Sequence, residues 1–132
     1  MQKVNSNAAL GKFNQKYGIP FSDSFLIVSA SVINTPIMLI DPVLNRNGIE
    51  LFDCNICEQG AATPWFSVLA KTSMPQNQND GDIILAANNA TATIAMGDCG
   101  HTPYYLDANK GLWLFPIVAA TMGSRQGIYR RI

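Results

Sequence analysis

Ionic groups are scarce in this chain. Charged side chains make up 14% of its 132 residues, nine basic and nine acidic, with one histidine and three cysteines; an ordinary soluble domain is about a quarter charged. Each scarcity excludes something. With His101 alone, no Gly-x-Ser-x-Gly elbow and no glycine-rich phosphate loop, the sequence offers no catalytic constellation, and an enzyme is not expected. Three cysteines cannot all pair within one chain, which points to a reducing compartment. Long apolar runs are also missing. The longest, Phe25 to Val32 and Leu112 to Ala120, are far too short to cross a bilayer as helices. The stretch Met1 to Asn7 leads into no continuous apolar core before Phe13, so neither a secretion signal nor a membrane-spanning segment is expected.

What fills the chain instead is uncharged. Hydrophobic residues reach 48%, and amides supply much of the polarity, with Gln76, Asn77, Gln78, Asn79, Asn88 and Asn89 gathered in one central region. A surface poor in charge carries little self-repulsion and suits a protein packed against neighbours. The charges are also sorted along the chain. Lys3, Lys12 and Lys16 meet no acid before Asp23, and Arg125, Arg130 and Arg131 follow the last acid, Asp107. Both ends therefore read as basic segments on an acidic body, able to meet nucleic acid or an acidic surface. Solvated tails would show the same pattern.

No segment keeps a helical period, and short β-type runs recur instead. Residues 1–22 are polar and aperiodic, with at most a helical turn near Ala8-Ala9-Leu10, and read as an extended N-terminal arm; 23–132 reads as one domain of a size to bury its own core. Phe25 to Ile33, Ile37 to Ile40 and Ile49 to Ile56 are strand-like, the last alternating apolar and polar as a strand buried on one face does. Asn45-Arg46-Asn47-Gly48 between them is strong turn chemistry. Trp65 to Ala70, Asp82 to Leu85, Thr91 to Met96, Tyr104 to Leu106, Leu112 to Ala120 and Gly127 to Ile132 complete the set. Eight or nine strands at this spacing predict an all-β, single-domain antiparallel β-sandwich of jelly-roll type. Pro116 inside an apolar run marks its strand as an edge or as bulged there.

Two clusters invite chemistry. Cys54, Cys57, Cys99 and His101 could form a Cys3His zinc site, since a Cys-x-x-Cys turn brings two thiolates to one ion. Against this, Cys54 lies on an alternating strand and Cys99 is separated from His101 by one residue, so small apolar core residues are the competing reading and no cofactor is expected. Asp80 and Asp82 around Gly81 could contribute to a calcium loop or simply form a turn. Exposed Trp or Tyr could stack on sugars as lectin-like sandwiches do, whereas Trp65 and Trp113, lying in strands, read as core or subunit-contact residues.

An apolar strand, then Asn34-Thr35, then a run ending in Asp41-Pro42-Val43-Leu44-Asn45-Arg46-Asn47-Gly48-Ile49-Glu50-Leu51-Phe52, then Trp65-Phe66, resembles the small single jelly-roll virion proteins of bacteriophages. The closing Gly111-Leu112-Trp113-Leu114-Phe115-Pro116 is similar to a strand of their vertex proteins. The likeness spans roughly residues 32–118 as a pattern of turns and strands of which the cysteine clusters are no part, and it carries over no functional residue. It implies a vertex, minor capsid or decoration protein that is made in the host cytoplasm, resides in the virion, and binds copies of itself and other capsid proteins. The expected subunit contacts are Phe13, Tyr17, Phe21, Trp113, Phe115 and Tyr129, with the basic termini as possible nucleic-acid contacts. A carbohydrate-binding sandwich and a small zinc-stabilised β-domain are the alternatives.

Overall fold

The computed structural model describes residues 23–29, 34–60, 65–88, 94–98, 103–118 and 121–132. The arm 1–22, with Phe13, Tyr17, Phe21 and its three lysines, lies outside them, as do Cys99 and His101. The described residues form nine strands: β1 (Asp23–Ser29), β2 (Ile37–Ile40), β3 (Ile49–Gln59), β4 (Trp65–Lys71), β5 (Asp82–Asn88), β6 (Ile94–Asp98), β7 (Tyr104–Leu106), β8 (Gly111–Val118) and β9 (Met122–Arg131). One short 3-10 turn, Pro42–Leu44, is capped by the Asp41 carboxylate, which accepts from the Val43 amide at 3.0 Å.

The strands form two antiparallel sheets, ordered β1-β9-β3-β6 and β2-β8-β4-β5, with β7 pairing the first residues of β3. Successive strands cross repeatedly between the two sheets, and this order is that of the eight-stranded jelly roll. The sandwich read from strand spacing is therefore present. Its inner faces follow from alternation. Phe25 and Ile27 of β1, Ile49, Leu51, Cys54 and Ile56 of β3, Phe66, Val68 and Ala70 of β4, and Leu112 and Leu114 of β8 meet in one core.

Tyr129 joins that core, which corrects its reading as a contact residue: it sits opposite Leu51 on β3 and Asp23 on β1, 5% exposed, with its ring 6.5 Å from that of Phe25. Burial also raises the pKa of its hydroxyl above the ordinary tyrosine value. The chain fits Phe25 against β9 by placing Gly127 opposite it. A Cβ at Gly127 would lie 2.3 Å from the Phe25 ring.

Asn45-Arg46-Asn47-Gly48 is not a hairpin turn, because β2 and β3 belong to different sheets. It is a crossing between sheets whose pivot is the buried Asn45 side chain. Asn45 Nδ2 donates to the Asp107 and Lys110 carbonyls at 2.8 Å each, and Oδ1 accepts from the Gly48 amide at 2.7 Å. One amide thus ties the 41–48 connection to the 107–110 turn. Pro116 lies on an interior strand, not an edge. The ladder between β2 and β8 ends at Ile37 opposite Leu114, so the proline falls beyond it, and the register between β4 and β8 slips next to it. The ring is tolerated where no ladder donor is needed on that side.

Candidate functional site

Because side chains alternate across a strand, each inner row has an outer counterpart. On the β2-β8-β4-β5 sheet the outer row is Met38, Trp113, Leu69 and Ile83, which are direct cross-strand partners in that order. All four are apolar. Met38 and Ile83 at the flanks are 44% and 49% exposed, while Leu69 in the middle is fully buried. Trp113 lies nearly flush, its indole N–H donating to the Lys71 carbonyl at 3.1 Å. Phe115 and Ser67 form the next pair, with exposed Ala86 beyond, and Trp65 is exposed at the start of β4.

Charge is confined to the rim of this face. Lys71 pairs with Asp80, and Lys110 with Asp82 at 2.5 Å and Asp107 at 3.4 Å. These bonds hold Asp80 below the ordinary carboxylate pKa and Lys110 above the ordinary lysine value. Asp80 and Asp82, weighed from sequence as calcium ligands, are thus each engaged by a lysine. Asp80 also accepts from the Gln76 amide at 2.8 Å, as a turn former does.

The outer face of the other sheet carries one charge at mid-strand, Asp53, which stands opposite Ile128 and accepts from the Asn55 side-chain amide at 3.1 Å, and is otherwise uncharged through its middle. Leu26 and Val28 of β1, 56% and 69% exposed, stand beside Gln126 and Ser124 of β9, which face Asn55 and Cys57 of β3. Val28, Cys57, Met122 and Ser124 line a recess here. Charge returns at one end, where Glu50 accepts from the Tyr105 hydroxyl at 2.6 Å and from Arg130 at 2.5 Å, and Arg130 stacks 5.9 Å over the Phe52 ring. The Glu50 carboxylate, as the acceptor, raises the Tyr105 hydroxyl pKa.

Two sequence readings change here. The Cys-x-x-Cys segment is extended strand, not a turn: Cys54 lies in the core and Cys57 on the outer face beside the recess, so their sulfurs do not converge on one ion as a chelating turn requires. The C-terminal basic segment is strand β9, and its arginines are each paired within the domain. Arg131 bonds Asp23 at 2.9 Å, Arg130 bonds Glu50, and Arg125 forms a forked pair with Glu58 at 2.6–2.9 Å.

That last pair was not legible as a site. Arg125 is 0% and Glu58 3% exposed by side chain, and Arg125 also donates to the Ser29 hydroxyl at 2.9 Å. It joins β1, β9 and β3 from inside the sandwich. Desolvation raises the Glu58 pKa above the ordinary 4.5, against the lowering effect of Arg125. Nothing in the local sequence marks these partners, which are 67 residues apart.

Among the described residues no group of three or more His, Cys, Asp or Glu side chains could hold a metal ion, and no helix is long and apolar enough to cross a membrane. What the arrangement offers chemically is burial of the apolar side chains exposed on the two outer faces, Met38 and Ile83 on one and Leu26 and Val28 on the other. No family model matches the chain, and no curated protein matches it either.

Proposed function

We propose that the chain is a structural component of a viral capsid, a bacteriophage one by its sequence resemblance, that works by burying its outer faces against other subunits as a vertex, minor capsid or decoration protein. The observation that carries this reading is the apolar cross-strand row Met38, Trp113, Leu69 and Ile83 on the outside of a jelly-roll sheet. The jelly roll is an architecture that capsid domains share with lectins and cupins. The half-exposed ends of that row, Met38 and Ile83, have no use on a sheet face that remains in water, whereas at a subunit contact their burial contributes about 25 cal/mol per Å2. Phe115, half-buried, remains the aromatic contact of this reading; Trp113, 7% exposed, backs the row from beneath, and Met38 and Ile83 flank it. The role is non-enzymatic, and the site of action is the virion.

Electron microscopy of the purified full chain tests it. Rings, shells or ordered particles that disappear in Met38→Glu, with an unchanged circular dichroism spectrum, are the expected result. A chain that stays dispersed at every concentration, alone and with the particle's other proteins, overturns the reading. The lectin alternative is separated by a glycan array, on which Trp65→Ala is expected to change nothing.

A further inference from the structure

The edges of the two sheets differ in how they are defended. Strand edges invite pairing with other chains, and proteins ordinarily blunt them with charge, proline, bulges or shortness. β2 has four residues, follows Pro36 and is bulged between Met38 and Ile40. β5 starts on Asp82 and its register breaks between Val68 and Leu69 of its partner. β6, on the far side of the first sheet, is five residues long and ends on Asp98. Apart from Asp23 at its start, whose carboxylate is held by Arg131 of the neighbouring strand, β1 has none of these devices. It runs for seven residues in unbroken register with β9, and from Ser24 to Ser29 it carries no charge, proline or glycine. Its other edge pairs with nothing among the described residues. Every second residue there turns its N–H and C=O outward.

We propose that this edge pairs with the same edge of a second copy, antiparallel across a two-fold axis, joining two β1-β9-β3-β6 sheets into one continuous sheet. The strand's own sequence favours a copy of itself. With Leu26 opposite Leu26 of the copy, Phe25 meets Ile27, Ser24 meets Val28 and Asp23 meets Ser29, so inward residues meet inward ones and no like charges oppose each other. The exposed Leu26 and Val28 are then partly covered by the copy's strand. An isologous contact of this kind closes at two subunits. It stands independently of the virion reading, since a sheet-edge dimer forms whether or not particles do, and it uses a different part of the surface from the Met38–Ile83 row.

The register gives a discriminating test in the full chain, with Cys57→Ser as background. Leu26→Cys places two thiols directly opposite, about 5 Å apart at Cβ, and is expected to form a disulfide-linked dimer in mild oxidant. Val28→Cys is the control. It is the more exposed of the two, so random collision would favour it, yet in the proposed register the two Val28 positions are four residues out of line, about 13 Å. With association through the other face blocked by Met38→Glu, light scattering is expected to give a dimer, and with Leu26→Lys added a monomer with an unaltered circular dichroism spectrum. A monomeric Met38→Glu chain overturns the proposal, including one that dimerises only after residues 1–22 are removed. So does a dimer that survives Leu26→Lys, or one that cross-links through Val28→Cys as readily as through Leu26→Cys. Loss of particles with persistence of this dimer would count against the capsid reading alone.

Discussion

The buried pair of Arg125 and Glu58 decides more at the level of single residues than any surface group. Taking both charges out of water costs what their attraction returns, so the pair as a whole adds little stability, but removing one partner strands the other. Arg125→Met is expected to destabilise by about 3–5 kcal/mol in urea unfolding, and Arg125→Met with Glu58→Met to recover most of that loss. The raised Glu58 pKa also fixes a sign. The folded state holds this proton more tightly than the unfolded chain, so stability from this carboxyl is greatest in acid. It declines as pH rises from 4.5 through the higher folded value, then stays level. In Glu58→Gln that decline is expected to vanish, as unfolding free energy measured across the acid range would reveal. Gly127 acts on the same scale by steric exclusion. Gly127→Ala is expected to cost about 1–3 kcal/mol through overpacking against Phe25, and Phe25→Leu in the Gly127→Ala background to recover part of it, because the removed ring is what the new methyl strikes.

Between elements, Asn45 is the bolt. Its amide makes three hydrogen bonds that tie the 41–48 connection to the 107–110 turn, and the Asn109 amide reaches the Asn45 carbonyl at 2.7 Å. Asn45→Ala is expected to lose about 2 kcal/mol or more, since buried partners are left unmade, and to speed hydrogen exchange at Gly48 before the strands loosen. Strand positions were legible from sequence wherever alternation or β-branched runs were strong: β2 and β7 coincide with their expected spans, and β3 and β4 extend them only at the C-terminal end. The start of β9 was not legible. Met122-Gly123-Ser124-Arg125-Gln126 has poor strand chemistry because tertiary packing chose it. Gly123 leaves room for the Glu58 carboxylate, 1.6 Å from where a Cβ would be, and Arg125 needs a partner from a distant strand. The Cys-x-x-Cys spacing misled for the converse reason: a local motif was overridden by strand alternation that ran straight through it. Zinc analysis of protein purified without chelator is expected to find far less than one ion per chain, and a stoichiometric amount would restore the metal reading.

For the whole molecule, the question is where a domain with so few charges keeps them. The described lysines and most of the described arginines are spent on internal pairs or on the rim, leaving Asp53 as the charge at the middle of one sheet face and the Met38–Ile83 row of the other neutral. Trp113 and Phe115 were legible as candidate contacts from their place in an apolar strand. Met38 and Ile83 were not, because a cross-strand row is assembled from four strands distant in sequence and exists only once the register is set. The same row makes the assembly reading falsifiable without unfolding the protein. Leu69 is sealed and its replacement would damage the fold, but Met38 and Ile83 are each about half exposed, so charging them leaves the interior intact. Met38→Glu and Ile83→Lys are therefore expected to melt within about 0.5 kcal/mol of the parent. Each alone is expected to abolish association through this face, because an unpaired charge would be desolvated at the contact. Combined, they place opposite charges on the two flanks of the row. If the flanks of neighbouring subunits meet Met38 to Ile83, head to tail, the double variant recovers association in low salt and loses it as salt is raised. If Met38 instead meets Met38, the double variant stays dispersed. Light scattering against ionic strength separates the two arrangements, and association unchanged in both single variants would remove this face from the assembly altogether.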